Sequence, residues 1–184
     1  DNLVSRALFL SRSFVAEMGY MNALSLTFEG GGIESDGAGT LLTTTSVLFE
    51  PNRNAGLQED SLQAYLRDVL GGDRLIALEH GALEGDDTDG HIDTLARFLS
   101  PTQIAYVGCT DGNDLHYHAL QRMKGELEQL RTAEGKPYEL IELPLPPAIY
   151  DEEGERLPAT YANFLFVNGA LLVPTYNVET DELA

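Results

Sequence analysis

The sequence predicts an α/β fold built from a repeated hairpin–helix–strand unit. Three observations predict it. Short β-rich runs come in pairs joined by turn residues, at 23–29 with 40–47, 91–99 with 103–109, and 160–167 with 170–175. The first two pairs are each followed by an amphipathic helical stretch and then a short apolar strand, which makes the unit ββαβ. The pattern recurs at a spacing of roughly 60–70 residues, and such a unit buries its apolar face only against its neighbours.

In chain order, residues 2–18 carry apolar positions at three- and four-residue steps and predict a helix that Gly19 ends. Residues 23–29 predict a strand. Asp36-Gly37-Ala38-Gly39 predicts a turn, and the β-branched run 40–47 the return strand. Pro51–Asn54 reads as a loop, 58–70 as a helix stopped by Gly71-Gly72, and 74–79 as a strand. The second unit repeats this: strand 91–99, a turn at Ser100-Pro101-Thr102, strand 103–109, helix 114–131 and strand 138–143. A proline-rich loop and the acidic stretch 151–155 lead to a third hairpin around Asn168-Gly169, a strong two-residue turn signal. Thr180-Asp181-Glu182 looks like a helix start. The repeats expected are therefore 23–79, 91–143 and a truncated 160–184, all in one domain over 1–184. A chain cut from a longer protein is expected, against the alternative of a self-contained α/β domain.

Composition narrows the function. The 184 residues carry 30 Asp and Glu against 11 Lys and Arg, a net charge of −19. Lys124 and Lys136 are the two lysines. So acidic a chain argues against nucleic acid and anionic membrane as partners and suits a cationic ligand; it equally suits a high-salt cytoplasm. One cysteine, Cys109, excludes an internal disulfide and a paired-cysteine metal site. No apolar run reaches the length of a membrane span, and a cytoplasmic protein is expected.

Two segments concentrate candidate chemistry: Phe28-Glu29-Gly30-Gly31-Gly32-Ile33 and Asp87-Thr88-Asp89-Gly90-His91-Ile92-Asp93. On a strand, His91 and Asp93 would share a face, with an imidazole beside a carboxylate. Glu29 precedes three glycines, where backbone can pass closely, and could approach and orient the imidazole. Such a cluster would hold a cation. The same spacing also fits aspartates that cap turns and a satisfied loop histidine. Cys109 ends an apolar strand and reads as a small buried side chain. His80, His116 and His118 read as surface or helix residues. His116 and His118, two apart on a helix, make a poor metal pair.

The chain resembles the agmatine deiminases, within the bacterial peptidyl-arginine deiminase-like group of guanidine-modifying enzymes. The resemblance rests on Glu29-Gly30-Gly31, Asp36-Gly37-Ala38-Gly39-Thr40, Pro51-Asn52-Arg53-Asn54, the segment 87–93, Leu143-Pro144-Leu145-Pro146 and 157–164. It implies the pentein fold, a β/α propeller of five ββαβ units, of which this chain would hold two whole units and parts of two others. It implies that His91 shuttles protons, that Glu29 holds His91, and that Asp93 and Asp87 grip a guanidinium. Arg53 falls in a matching loop, either touching substrate or fixing that loop. The implied reaction hydrolyses agmatine to N-carbamoylputrescine and ammonia through a cysteine-bound thiouronium, in putrescine formation, with no metal or organic cofactor. Arginine or peptidyl-arginine as substrate is the alternative within the fold; a non-catalytic guanidinium- or amine-binding module is the alternative outside enzymes. Two departures count. Gly32 stands where the family usually has Asn or Asp. The family's nucleophilic cysteine and an upstream acid belong outside these residues, so the chain alone is expected to be inactive. A homo-oligomer is compatible with the family.

Overall fold

The computed structural model describes residues 27–54, 59–88 and 90–184. The helix expected at 2–18 and most of the strand expected at 23–29 lie outside the described residues. Thr27–Glu29, the described end of that strand, are not in a sheet.

The first sheet is formed by β1 (Glu34–Ser35), β2 (Thr40–Thr44) and β3 (Arg74–Leu78), in that order. β1 and β2 are antiparallel, β2 and β3 parallel. The hairpin turns at Gly37 and Gly39, both at positive φ, where glycine carries no Cβ penalty. Asp36 Oδ1 accepts from the backbone N–H groups of Ala38 and Thr40 and closes the turn. The return strand ends at Thr44, short of the expected 47. Thr44 is an N-cap instead: its hydroxyl accepts from Val47 N at 3.2 Å and starts helix α1 (Thr45–Phe49). The β-branched run therefore serves two elements, and side-chain capping, invisible to a propensity count, divides it. The segment expected to be a loop, Pro51–Asn54, is a helical turn, α2, with proline at its first position. Helix α3 (Glu59–Leu70) then crosses to β3. Leu62 and Leu66 of α3 pack on Leu41 and Leu48.

The second sheet repeats the arrangement with β4 (Ala96–Ser100), β5 (Gln103–Gly108) and β6 (Glu139–Pro144). Again the first pair is antiparallel and the second parallel, joined through helix α4 (Tyr117–Gln129). A parallel pair requires such a crossover. Leu120, Met123 and Leu127, at helical spacing, turn inward from α4. They join a core that reaches from Leu42, Ile76 and Leu78 of the first unit to Phe98, Ile104 and Tyr106 of the second. One strand expectation fails here. His91–Leu95 is not in the sheet; Ile92–Thr94 is a 3-10 turn, with Leu95 N donating to Ile92 O.

The third hairpin, β7 (Leu165–Val167) with β8 (Ala170–Leu172), is shorter than expected. Asn168 and Gly169 both have positive φ, as a two-residue hairpin turn requires. The preceding Thr160, Tyr161 and Ala162 are buried but belong to no strand. Thr160 Oγ1 donates to Thr94 O. Arg97 ties three pieces together: it pairs with Glu34, donates to Phe164 O at 2.9 Å and stacks over the Phe164 ring. Among the described residues, no helix is long and apolar enough to cross a membrane.

Candidate active site

The site forms where two 3-10 turns meet, Gly30–Gly32 and Ile92–Thr94. The buried hydroxyl of Thr43 donates to Gly32 O at 2.6 Å and holds the glycine turn against β2. Thr94 Oγ1 donates to His91 O, and Thr88 Oγ1 accepts from His91 N. His91 and Asp93 are thus brought together by a helical turn, not by a strand. Of the three glycines, Gly31 is the one the site requires. A Cβ there would lie 2.5 Å from Asp93 Oδ2 and 2.7 Å from His91 Nδ1. Backbone can approach both side chains only without one.

Glu29 reaches the same place. Its Oε2 lies 3.7 Å from His91 Nε2, beyond a hydrogen bond and within reach of a small movement. His91 Nε2 is buried and makes no hydrogen bond. An unpartnered buried imidazole nitrogen between carboxylates is poised to exchange a proton with something bound beside it. The departure at Gly32 bears on the same nitrogen: a Cβ at Gly32 would lie 3.7 Å from Nε2 and 3.1 Å from Val47 Cγ1.

The two carboxylates differ electrostatically. Burial pushes Asp93 above its ordinary value; nearby His91 opposes this and Asp86 reinforces it. Burial also acts to raise Glu29, but hydrogen bonds and charge from Arg53, with a contribution from His91, bring it below its ordinary value. Arg53 Nε donates to Glu29 Oε1 at 2.9 Å and Oε2 at 3.0 Å, and its Nη2 donates to Thr88 O at 2.8 Å. Of the two expectations for Arg53, touching substrate or fixing its loop, these contacts agree with the second.

Asp87, expected in the grip, is exposed and has no hydrogen-bond or ion-pair partner among the described residues. Its neighbour Asp86 does structural work that the sequence analysis missed. Asp86 Oδ1 accepts from Thr88 N at 3.0 Å and from Thr88 Oγ1, and Oδ2 accepts from Gly90 N at 3.0 Å. The spacing Asp86-Asp87-Thr88 is that of an Asx turn, a signal available in the sequence. Asn54 was missed as well: it is buried, accepts from Thr27 N and donates to Thr27 O, both at 3.1 Å. Asp89 lies outside the described residues.

Cys109 is buried and donates to Asp111 O. Burial raises its thiol, which leaves it a poor nucleophile. It lines a separate cavity of about 770 Å³ with Asp111, Asp114 and Glu142. His116, expected on the surface or on a helix, is buried at the start of α4. Its Nε2 accepts from Glu84 N at 2.7 Å. Its Nδ1 lies 3.0 Å from Asp114 Oδ1 but off the hydrogen-bond direction. Asp114 is itself held by Arg156 at 2.8 Å. Among the described residues, no group of three His, Cys, Asp or Glu could hold a metal ion.

Solved structures share this fold. The C. jejuni agmatine deiminase, determined as a cysteine-to-serine variant with substrate bound, superposes with a TM-score of 0.86 at 41% identity, covering 98% of this chain and 51% of that one. A Porphyromonas gingivalis protein provisionally described as an arginine deiminase gives 0.91 at 51% identity, covering 98% of this chain and 53% of its own. Two ββαβ sheets and a third hairpin are accordingly part of a pentein β/α propeller. The sequence profile of the Porphyromonas-type peptidyl-arginine deiminases matches residues 1–184, and the chain belongs to that family. Agmatine deiminase of Stutzerimonas stutzeri is 34% identical over 170 residues, covering 83% of this chain and 46% of its own length. The chain spans about half the length of the curated relatives it matches.

Proposed function

We propose that this chain carries the proton-handling and guanidinium-binding groups of an agmatine deiminase, which hydrolyses agmatine to N-carbamoylputrescine and ammonia. One observation carries the reading. His91 and Asp93 pack on the glycine turn at Gly31, and Glu29 approaches the unpartnered nitrogen of His91. Asp93, which no arginine or lysine pairs among the described residues, is the carboxylate for the planar cation. In this reading a thiolate attacks the guanidinium carbon, and His91 gives a proton to the departing ammonia. His91 then takes a proton from the water that attacks the thiouronium and frees the thiolate. Buried Cys109, with its raised thiol, does not fit the nucleophile. The reading assigns that role to a cysteine elsewhere in the protein, consistent with relatives about twice as long. A cytoplasmic enzyme of putrescine formation follows from the same reading, and a homo-oligomer is compatible with it.

Arginine is the second substrate considered, because the P. gingivalis neighbour is provisionally an arginine deiminase. The test is turnover by the protein that carries this chain, with ammonia and the carbamoyl product both measured. Agmatine should be preferred over arginine in kcat/KM by at least tenfold. Equal or inverted preference would replace the substrate, and no release from either would reject the enzyme in favour of a binding module.

A further inference from the structure

The protein's own arginine sits in a site read as guanidinium-binding, and it needs an account. Two carboxylates flank one imidazole. If both were free they would repel each other and would compete for the same cation. The structure treats them differently. Arg53 lies on the short helix α2, with its side chain only 11% exposed. Its Nε bridges both oxygens of Glu29, and its Nη2 is anchored on Thr88 O. The next residue, Asn54, clamps the backbone of Thr27 by two hydrogen bonds, so α2 and the segment Thr27–Glu29 are fastened side by side. The Thr88 end is fixed in turn by Asp86, and the Thr88 hydroxyl receives His91 N. The chain of contacts runs from Asp86 through Thr88 and Arg53 to Glu29, and from the same threonine to His91. Asp93, across the glycine turn, pairs with no arginine or lysine among the described residues.

We propose that Arg53 is a positioning residue: it pins the Glu29 carboxylate beside His91 and holds it there as the anion. The role of Glu29 toward His91 rests on the function proposed above; the pinning of Glu29 by Arg53 does not. The opposite directions in which Glu29 and Asp93 are pushed agree with the geometry, since only one of the two has a cation at hydrogen-bond distance.

The test is a carboxyl-detected NMR titration of the 184-residue chain at fixed moderate salt, comparing wild type with Arg53→Gln and Arg53→Lys. The Glu29 midpoint should lie below that of an exposed glutamate in the wild type. Arg53→Gln should raise it by about one pH unit or more, the usual effect of losing a contacting opposite charge. Arg53→Lys keeps the charge without the fork and should fall between the two. Asp93 should move much less than Glu29 in both variants. A wild-type midpoint at or above the ordinary value would overturn the proposal. So would a Glu29 midpoint that Arg53→Gln leaves in place while the backbone spectrum stays native. Should Arg53→Gln fail to fold, the wild type and Arg53→Lys decide, and a lysine variant with an unshifted midpoint overturns it. Agmatine added to the same samples reports separately on the proposed function. Failure to perturb Asp93 and His91 counts against that reading and leaves the Glu29 result standing.

Discussion

At the scale of single residues, the site sets stability against function. Asp93 is a half-buried carboxylate whose folded value is raised, so its ionised form is less at home in the folded chain than in the unfolded one. For a carboxylate the sign is clear. Stability falls as pH rises through the unfolded value toward the folded one, and the loss persists at neutral pH. Asp93→Asn should therefore stabilise the ligand-free chain, by about 0.5–1 kcal/mol as replacements at functional sites commonly do. It should also abolish guanidinium binding. Thermal unfolding and agmatine titration of the same variant check both halves. Gly31→Ala should fail in the opposite way. A methyl group would overlap Asp93 and His91, and relief would cost about 1–3 kcal/mol or displace the pair from each other. A Gly31→Ala variant with native stability and native turnover would show that the close approach is unimportant.

At the scale of elements, the most testable contact joins the start of α4 to two distant loops. Burial, then the Arg156 charge, lower the affinity of His116 for a proton, although Asp114 and Glu84 pull the other way. Its free Nε2 accepts the Glu84 N–H. A histidine with a depressed folded value gives its full stabilisation above the unfolded value of about 6.5 and loses it as pH falls. The unfolding midpoint should drop as pH falls below about 6.5, and His116→Gln, which keeps an acceptor and cannot titrate, should flatten that drop. Urea denaturation at several pH values would show it. This contact was not legible in the sequence, because Glu84, His116 and Arg156 are far apart along the chain. What was legible depended on local signals. The Asn168-Gly169 turn, the α3 helix and the β5 and β6 strands followed from turn chemistry and periodicity. The first half of the strand expected at 91–99 failed because period two and a single helical turn both bring residues 91 and 93 near each other; the second half is in β4. The convergence of His91 and Asp93 was thus anticipated for the wrong reason. The strand expected at 40–47 failed at a capping threonine. Arg53 could be read as gripping substrate or fixing its loop until its partners were known.

At the scale of the whole molecule, charge and exposed apolar surface act against each other. A net charge of −19 repels itself within a compact chain, and salt screens that repulsion over roughly 10 Å at 0.1 M. The unfolding midpoint should rise from low salt to molar KCl; a flat or falling midpoint would remove the case for salt adaptation. The β7–β8 ribbon exposes Leu165, Phe166, Leu171 and Leu172, each by about half. Screening should let these ribbons associate, as exposed apolar strand edges do. Phe166→Glu should lower the sedimentation-derived mass at high salt. A wild-type monomer at high salt and high concentration would contradict this. The central claim concerns the cluster at the two turns. It is tested most directly by the kinetics of the protein that carries this chain, assayed with agmatine, with His91→Asn beside Asp93→Asn. If His91 moves the protons, its loss should lower kcat by about 10²–10⁴-fold with little change in KM. If Asp93 holds the cation, its loss should raise KM steeply as well as lower kcat. A His91→Asn enzyme that keeps kcat within a few-fold of wild type, at native stability, would contradict the account.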